Sequence, residues 1–333
     1  MTNKQFQVLL HTAQSLFSGL PEGIQKVLFN SRVQKGLALF IAFRLAKGVN
    51  SYLSRRAQNN WLTIDQWDPA TELVALTGGA SGIGKQMVKD LSQQNVKIVI
   101  LDVTEPDYPL PPNVFVYQAD ITSRAALKQV ADQIRKDHGD PTVLINNAGV
   151  ALGGSILDES DEHIRRTMEV NTLSHFWTVK EFLPSMVEKD HGHIITVASL
   201  ASFVSFVGCV DYSCSKASAL AFHEGLTQEI RHIYGSRNVR TSVIHPLWVR
   251  TPMIEKMTQA GSHWKEPVLE PHEISSAVIR QIVSGNGGQV VIPGSYGLTA
   301  LVRAYPNWIQ EWIRNTASEK IVTLRRLERE MSK

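Results

Sequence analysis

Cysteine is almost missing from this 333-residue chain: Cys209 and Cys214 are the only two. That excludes a disulfide scaffold and favours a reducing, cytosol-facing setting, and both residues read as small core side chains. The 11 histidines are scattered, and none joins a cysteine at zinc-ligand spacing, so no metal site is expected. Long apolar runs are also absent. The best, Gly36 to Phe43, has eight uncharged residues bracketed by Lys35 and Arg44, far short of the roughly 20 that span a bilayer. No small-residue cleavage site follows a short apolar region, so a removable signal peptide fits badly. Repeats and low-complexity tracts are missing too. What remains is 43% hydrophobic and 20% charged, a chain with a core large enough for one α/β domain with extensions or for two modest domains.

Acidic residues are scarce in one place only. Residues 1–60 hold Lys4, Lys26, Arg32, Lys35, Arg44, Lys47, Arg55 and Arg56 against the single acid Glu22, a charge of +7, which leaves −4 for the other 273 residues. So local an excess argues against a nucleic-acid binder. Phe6, Leu9, Leu10, Ala13, Leu16, Phe17 and Leu20 follow helical spacing. Residues 1–60 are therefore expected to form a basic amphipathic segment at a membrane surface, with packing on the protein's own core or on a partner subunit as the alternative. Residues 61–71 read as a linker, with Trp61 and Trp67 near the interface.

From residue 72 the texture changes. The strand-like run Leu73 to Thr77 leads into Gly78-Gly79-Ala80-Ser81-Gly82-Ile83-Gly84 and then an amphipathic helix. In that context backbone N–H groups at a helix N-terminus cradle a phosphate, and glycines permit its close approach. The expected cofactor contacts are Gly78, Ser81, Gly82, Ile83 and Gly84. The spacing is not Gly-x-Gly-x-x-Gly, so that fingerprint carries no weight here. A second strand, Val96 to Leu101, ends in Asp102, 24 residues after Gly78. A carboxylate there binds both ribose hydroxyls of NAD and repels the 2′-phosphate of NADP, so NAD is the preferred cofactor without NADP being excluded.

Three further strand-like runs lead to Asp120, to Asn146-Asn147-Ala148-Gly149 and to Ser199, each separated from the next by a helical stretch. Alternation of this kind predicts an α/β fold, a doubly wound Rossmann parallel sheet with helices on both faces, here with amphipathic helices added at both termini. Polar residues at strand ends mark the ligand-binding edge. Tyr212-Ser213-Cys214-Ser215-Lys216 sets a lysine one helical turn from a tyrosine, a spacing that alone can also be chance.

The chain resembles the short-chain dehydrogenase/reductase family, of the single-domain kind. The matching pieces are "TGGASGIG" at 77–84, "NNAG" at 146–149, Asn171, Ser199, "YSCSK" at 212–216 and "HPLWVRTPM" at 245–253, over about residues 70–293. The last of these is similar to the membrane-associated retinol and 17-beta-hydroxysteroid dehydrogenase branch. The resemblance implies that Tyr212 is the general acid/base, with its high phenol pKa drawn down by Lys216 and by the positive nicotinamide. It implies that Lys216 also holds the nicotinamide ribose, that Ser199 bonds the substrate oxygen, and that Asn171 bends its helix and holds a proton-relaying water. Asp120 would lie near the adenine, Asn147 under the adenosine ribose, and Val249 and Thr251 at the carboxamide. Many relatives have Pro-Gly where this chain has Pro246-Leu247, and because leucine resists positive φ, a differently shaped turn is expected.

Two stretches face the substrate on this reading: the apolar Phe203 to Val210, and residues 252–270, where the family keeps a lid. An apolar wall favours a lipophilic substrate, with simple core packing or a dimer contact as the alternative. Leu298, Leu301, Val302, Tyr305, Trp308, Ile309, Trp312 and Ile313 repeat the helical pattern with interfacial aromatics, fitting a membrane or a homodimer contact. The expected organisation is thus a membrane-associating segment at 1–60, a linker at 61–71, a catalytic domain at 72–293 and C-terminal amphipathic helices at 294–333. The expected activity is alcohol–carbonyl interconversion on a retinoid, steroid or fatty alcohol, at a cytosol-facing membrane (endoplasmic reticulum or lipid droplet in a eukaryote). An NADP-dependent ketone reductase of lipid synthesis and a non-catalytic nucleotide-binding scaffold are the rivals.

Overall fold

The computed structural model describes residues 19–21, 23, 24, 27, 30–63, 67–255 and 266–331, with side chains up to residue 323. Most of the stripe from Phe6 to Leu20 therefore lies outside the described residues. The chain divides into two units, Met1–Ala57 and Gln58–Lys333.

The first unit is dominated by helix α1, Ser31–Gln58, none of whose residues is buried. At about 100° per residue, Leu37, Leu39, Phe40, Ile41 and Phe43 spread over about 200° of its circumference rather than along one narrow stripe. Among the described residues no helix is long and apolar enough to cross a membrane.

The second unit is built on a seven-stranded parallel sheet in the order β3-β2-β1-β4-β5-β6-β9. Its strands are β1 (Leu73–Thr77), β2 (Lys97–Asp102), β3 (Val114–Gln118), β4 (Val143–Asn146), β5 (His193–Val197), β6 (Arg240–Pro246) and β9 (Gly288–Ile292). Every residue of β1, β4, β5 and β6 is buried, as expected of parallel strands covered on both faces. The chain switches direction between β1 and β4, which opens a crevice at the C-terminal edge of the sheet. Helices α2 (Gly82–Ser92) and α7 (Pro271–Ser284) pack one face with Val74, Leu76 and Ile100; α3 (Arg124–His138), α5 (Ser174–Glu188) and α6 (Val210–His232) pack the other with Ala75, Leu101 and Leu144. Local sequence fixes the ends of α7: Glu270 and Glu273 form a capping box around Pro271, and Gly285 closes the helix with φ +61°.

Two short strands, β7 (Trp248–Val249) and β8 (Val268–Leu269), pair outside the main sheet. Leu247, where a differently shaped turn is expected, has no positive φ, and its N–H bonds Ile292 O at 2.8 Å.

Three expectations change. Trp67, assigned to a linker at the interface, packs against the sheet core. The chain just before it is pinned too, for Asn59 is buried and exchanges two hydrogen bonds with the backbone of Gly287, at 2.7 and 3.2 Å. Cys214, read as a core residue, is exposed. The C-terminal stripe is split. Val302, Tyr305 and Ile313 pack on Leu200, Phe203 and Val204, while Leu298, Leu301, Trp308 and Trp312 stand exposed, Trp308 to 73%. These residues belong to a 3-10 stretch, Gly294–Ala304, and to helix α8, Asn307–Met331.

Candidate active site

The glycine loop is shaped by close approach. A Cβ on Gly84 would lie 1.9 Å from Gly78 O, and one on Gly78, whose φ is +72°, would lie 2.8 Å from Ala148 Cα. No other side chain fits either position. Asn147 closes the loop from behind: its Nδ2 donates to Thr77 O and Gly78 O at 3.1 and 2.9 Å. Thr77 Oγ1 in turn accepts the N–H groups of Asn147 and Ala148. Ser81 sits at the N-cap of α2 without a side-chain cap bond, so the helix's first N–H groups face outward at the crevice. Thr251 reaches the same place from the other side, its methyl 3.2 Å from where a Cβ of Gly82 would be. Val249 is buried beside it in β7.

Asp102 ends β2 with Oδ2 accepting Ala80 N at 2.9 Å and Oδ1 accepting Thr104 N at 3.1 Å. Its carboxylate is thus held at the rim of the glycine loop. These features fit a dinucleotide: a loop with no room for side chains, an uncapped helix N-terminus and a carboxylate at the next strand end. Asp120 is occupied differently from Asp102. Its Oδ1 accepts Thr122 N and Oγ1, and its Oδ2 accepts Arg166 Nη1 at 3.1 Å. Burial alone would raise its pKa, but the Thr122 bonds and Arg166 outweigh that and hold it below the usual carboxylate range.

The catalytic candidates converge at the crevice from three elements. Tyr212 and Lys216 lie in the first turns of α6, with Lys216 Nζ 5.6 Å from the centre of the tyrosine ring. Lys216 is buried and donates to Val197 O at 3.0 Å. Burial pushes its pKa down to about 8. Ser199 follows β5 in extended conformation and opens the 3-10 turn Leu200–Ser202. For Tyr212 burial dominates and pushes the phenol up to about 12, the hydrogen bond from Ser199 pulling the other way and Cys209 adding to the rise. Burial and Ser199, rather than Lys216, set the phenol's pKa before any charge of the nicotinamide is added.

Asn171 sits fully buried in a π-helical turn, Glu169–Leu173, between α4 (Asp161–Met168) and α5. The extra residue in that turn is the helix distortion expected at this position. Its amide accepts Val150 N and donates to Val150 O, both at 2.8 Å, and also donates to Ser215 Oγ at 3.0 Å. Gly149 lets these groups meet: a Cβ there would lie 3.3 Å from Asn171 Oδ1 and 3.5 Å from Lys216 Nζ.

Sequence reading passed over several contributors. His245 Nδ1 bonds Ser199 O at 3.0 Å. Ser202 Oγ bonds Lys216 O at 2.7 Å. Arg303 donates to the carbonyls of Ser202 and Phe203 at 3.0 and 3.4 Å. Only His245 lay in a recognised stretch, and nothing there signalled its partner. Among the described residues no group of three or more His, Cys, Asp or Glu could hold a metal ion.

Known proteins match this arrangement. Residues 72–261 match the short chain dehydrogenase family. Dehydrogenase RED2 of Cochliobolus heterostrophus is 43% identical over 59% of this chain and 75% of its own length. Estradiol 17-beta-dehydrogenase 11 of Mus musculus is 30% identical over 85% of this chain and 93% of its own. 17-beta-hydroxysteroid dehydrogenase 13 of Homo sapiens is 33% identical over 67% and 75%. The ligand-free aldohexose dehydrogenase of Thermoplasma acidophilum shares the fold, with a TM-score of 0.59 at 22% identity over 70% of this chain and 97% of that one. With the sheet order, the glycine loop and the tyrosine–lysine helix already in place, these matches assign the chain to the short-chain dehydrogenases, nicotinamide-dependent oxidoreductases that interconvert alcohols and carbonyls.

Proposed function

We propose that this enzyme interconverts a lipophilic alcohol, of retinoid, steroid or fatty-alcohol type, with its ketone or aldehyde, prefers NAD, and works at a membrane surface. The observation that carries the reading is the meeting of Tyr212, Lys216, Ser199 and Asn171 at the crevice where the sheet switches direction. Gly78, Ser81, Gly82, Ile83 and Gly84 would take the pyrophosphate, Asp102 the adenosine ribose, Lys216 the nicotinamide ribose, and Val249 and Thr251 the carboxamide side. Asp120 and Asn147 would serve that site from behind, through Arg166 and through the loop carbonyls of Thr77 and Gly78. The bound nicotinamide supplies the hydride acceptor or donor.

In the oxidative direction Ser199 Oγ holds the substrate hydroxyl against Tyr212, and the phenolate takes its proton as the substrate carbon gives up hydride. With burial pushing the phenol up to about 12, Tyr212 needs more than the Ser199 hydrogen bond to ionise; the positive charge of protonated Lys216 together with that of the oxidised nicotinamide ring would provide it on cofactor binding. Asn171 keeps Val150 and Ser215 fixed beside the lysine, leaving a path by which a water can return the proton.

A lipophilic substrate is supported by the exposed apolar side chains Val207 and Val210 just before Tyr212, while Phe203 and Val204 of the same stretch pack against Leu200 and Val302. The steroid alcohol in the name of one relative points the same way. Membrane association, with a cytosol-facing endoplasmic reticulum or lipid-droplet surface in a eukaryote, is supported by the basic first sixty residues, by the apolar girth of α1 and by exposed Trp308 and Trp312. Titrating NADH and NADPH fluorescence on the detergent-solubilised wild type and on Asp102→Ala tests the cofactor reading. Tighter NADH binding that collapses in the variant is expected; tighter NADPH binding by the wild type would turn the reading towards a ketone reductase.

A further inference from the structure

Strand β6 runs parallel to β5 as far as the pair Val197 and Ile244, and the last backbone rung between them is Ala198 N to Ile244 O at 2.8 Å. One residue further on, where Ser199 leaves the sheet, the ladder has ended. The carbonyl of Ser199 accepts Ser202 N within the 3-10 turn at 3.0 Å, and takes a second bond from outside the turn, from the side chain of His245 at 3.0 Å. Because a carbonyl only accepts, Nδ1 must carry the proton, which fixes the tautomer. His245 is fully buried, and its ring lies 4.5 Å from that of Phe203, the first residue of the apolar substrate wall. Burial holds its pKa down at about 4, so the ring is neutral and its donor constant across neutral pH. One side chain thus touches both the serine expected to hold the substrate oxygen and the wall expected to hold the substrate body.

We infer that His245 is a positioning residue: its Nδ1–H holds the Ser199 carbonyl and so aims the serine hydroxyl at Tyr212 and the substrate oxygen. The same short turn is held at its other end by Arg303, on the carbonyls of Ser202 and Phe203, and in its middle by Ser202 Oγ on Lys216 O. Within the turn, Ser202 N bonds the Ser199 carbonyl and Ala201 N bonds Ser199 Oγ; His245 is the side chain among these ties that anchors Ser199 to the neighbouring strand. This rests on the catalytic roles proposed above for Ser199 and Tyr212.

The test uses full-length enzyme in detergent, with NAD and whichever of estradiol, retinol or 1-decanol the wild type oxidises fastest. His245→Phe keeps a ring against Phe203 but has no N–H; His245→Asn keeps a donor near the position of Nδ1. His245→Phe should lower kcat on the order of 100-fold, as expected when a reacting group is displaced by about an ångström. The KM for NAD should stay within about twofold. The alkaline rise of kcat should move to higher pH, as it should in Ser199→Ala, because Tyr212 loses the serine bond that favours its ionised form. His245→Asn should recover most of the rate and the wild-type profile. If His245→Phe does not fold, His245→Gln, whose donor is displaced along the side chain, takes its place with the same expectation. A variant that folds without the donor and keeps the wild-type kcat and pH profile overturns the inference, as does a loss that merely follows the unfolded fraction with the profile unmoved. Tyr212→Phe and Ser199→Ala run alongside. If they retain turnover, the reading of the site itself fails; if they lose it while His245→Phe does not, only the role of His245 fails.

Discussion

Asn171 grips the backbone of Val150 at two points, its amide accepting the N–H and donating to the C=O at 2.8 Å each. Asn171 is fully buried in a π-helical turn and Val150 is half-buried, so water has restricted access to both bonds. Asn171→Leu, of similar size, leaves both Val150 groups without their partner. The expected cost is about 3 kcal/mol, since each orphaned buried group costs about 1–3 kcal/mol. Urea unfolding checks this, and a loss below about 1 kcal/mol would mean that the π turn tolerates the residue for some other reason.

Four histidines, His175, His193 and His245 buried and His223 half-buried, are held at about 3, 3, 4 and 4 in the order His175, His193, His223 and His245, against an ordinary 6.5. Burial is the main cause in each. Their folded values are depressed, so as pH falls below 6.5 the unfolded chain takes up protons that the native protein refuses. The stability they permit is whole above about pH 6.5 and drains as pH falls towards 4, with a slope reaching about 5 kcal/mol per pH unit when all four titrate in the unfolded chain. Urea midpoints at pH 7.5, 6 and 5 should fall in that order. His193→Gln, which keeps a partner for Ser242 Oγ, should flatten the slope. Equal midpoints at pH 7.5 and 5 would contradict it.

The exposed face of the C-terminal segment offers Leu298, Leu301, Trp308 and Trp312, while Val302 and Tyr305 turn inward to Leu200, Phe203 and Val204. Trp308→Ala with Trp312→Ala should weaken binding to vesicles containing anionic lipid by about tenfold or more in sedimentation, with turnover in detergent unchanged. Unchanged sedimentation would assign that face to a protein partner such as a second copy of the chain.

The parts of the site that could be read from sequence are contiguous or periodic. The glycine loop, the strand-end Asp102 and the i, i+4 pair of Tyr212 and Lys216 each announce themselves within a few residues, and the alternation of strands and helices gives the fold. The remainder depends on pairs far apart in the chain. Asn59 meets Gly287 across 228 positions, Asp120 meets Arg166 across 46, and His245 meets Ser199 across 46. A buried side-chain bond leaves no period and no motif. Trp67 and Cys214 went astray for the same reason: whether a lone apolar or small residue faces core or solvent is decided by what packs over it.

The most direct measurement is NADH formation by the detergent-solubilised enzyme with NAD and estradiol, retinol or 1-decanol, comparing wild type with Tyr212→Phe. Wild type should oxidise at least one of these alcohols, at a rate that rises with pH as the phenol ionises. Tyr212→Phe should lose at least about 100-fold in kcat while still binding NADH. Turnover by Tyr212→Phe close to that of the wild type would contradict the assignment of Tyr212 as the general acid/base.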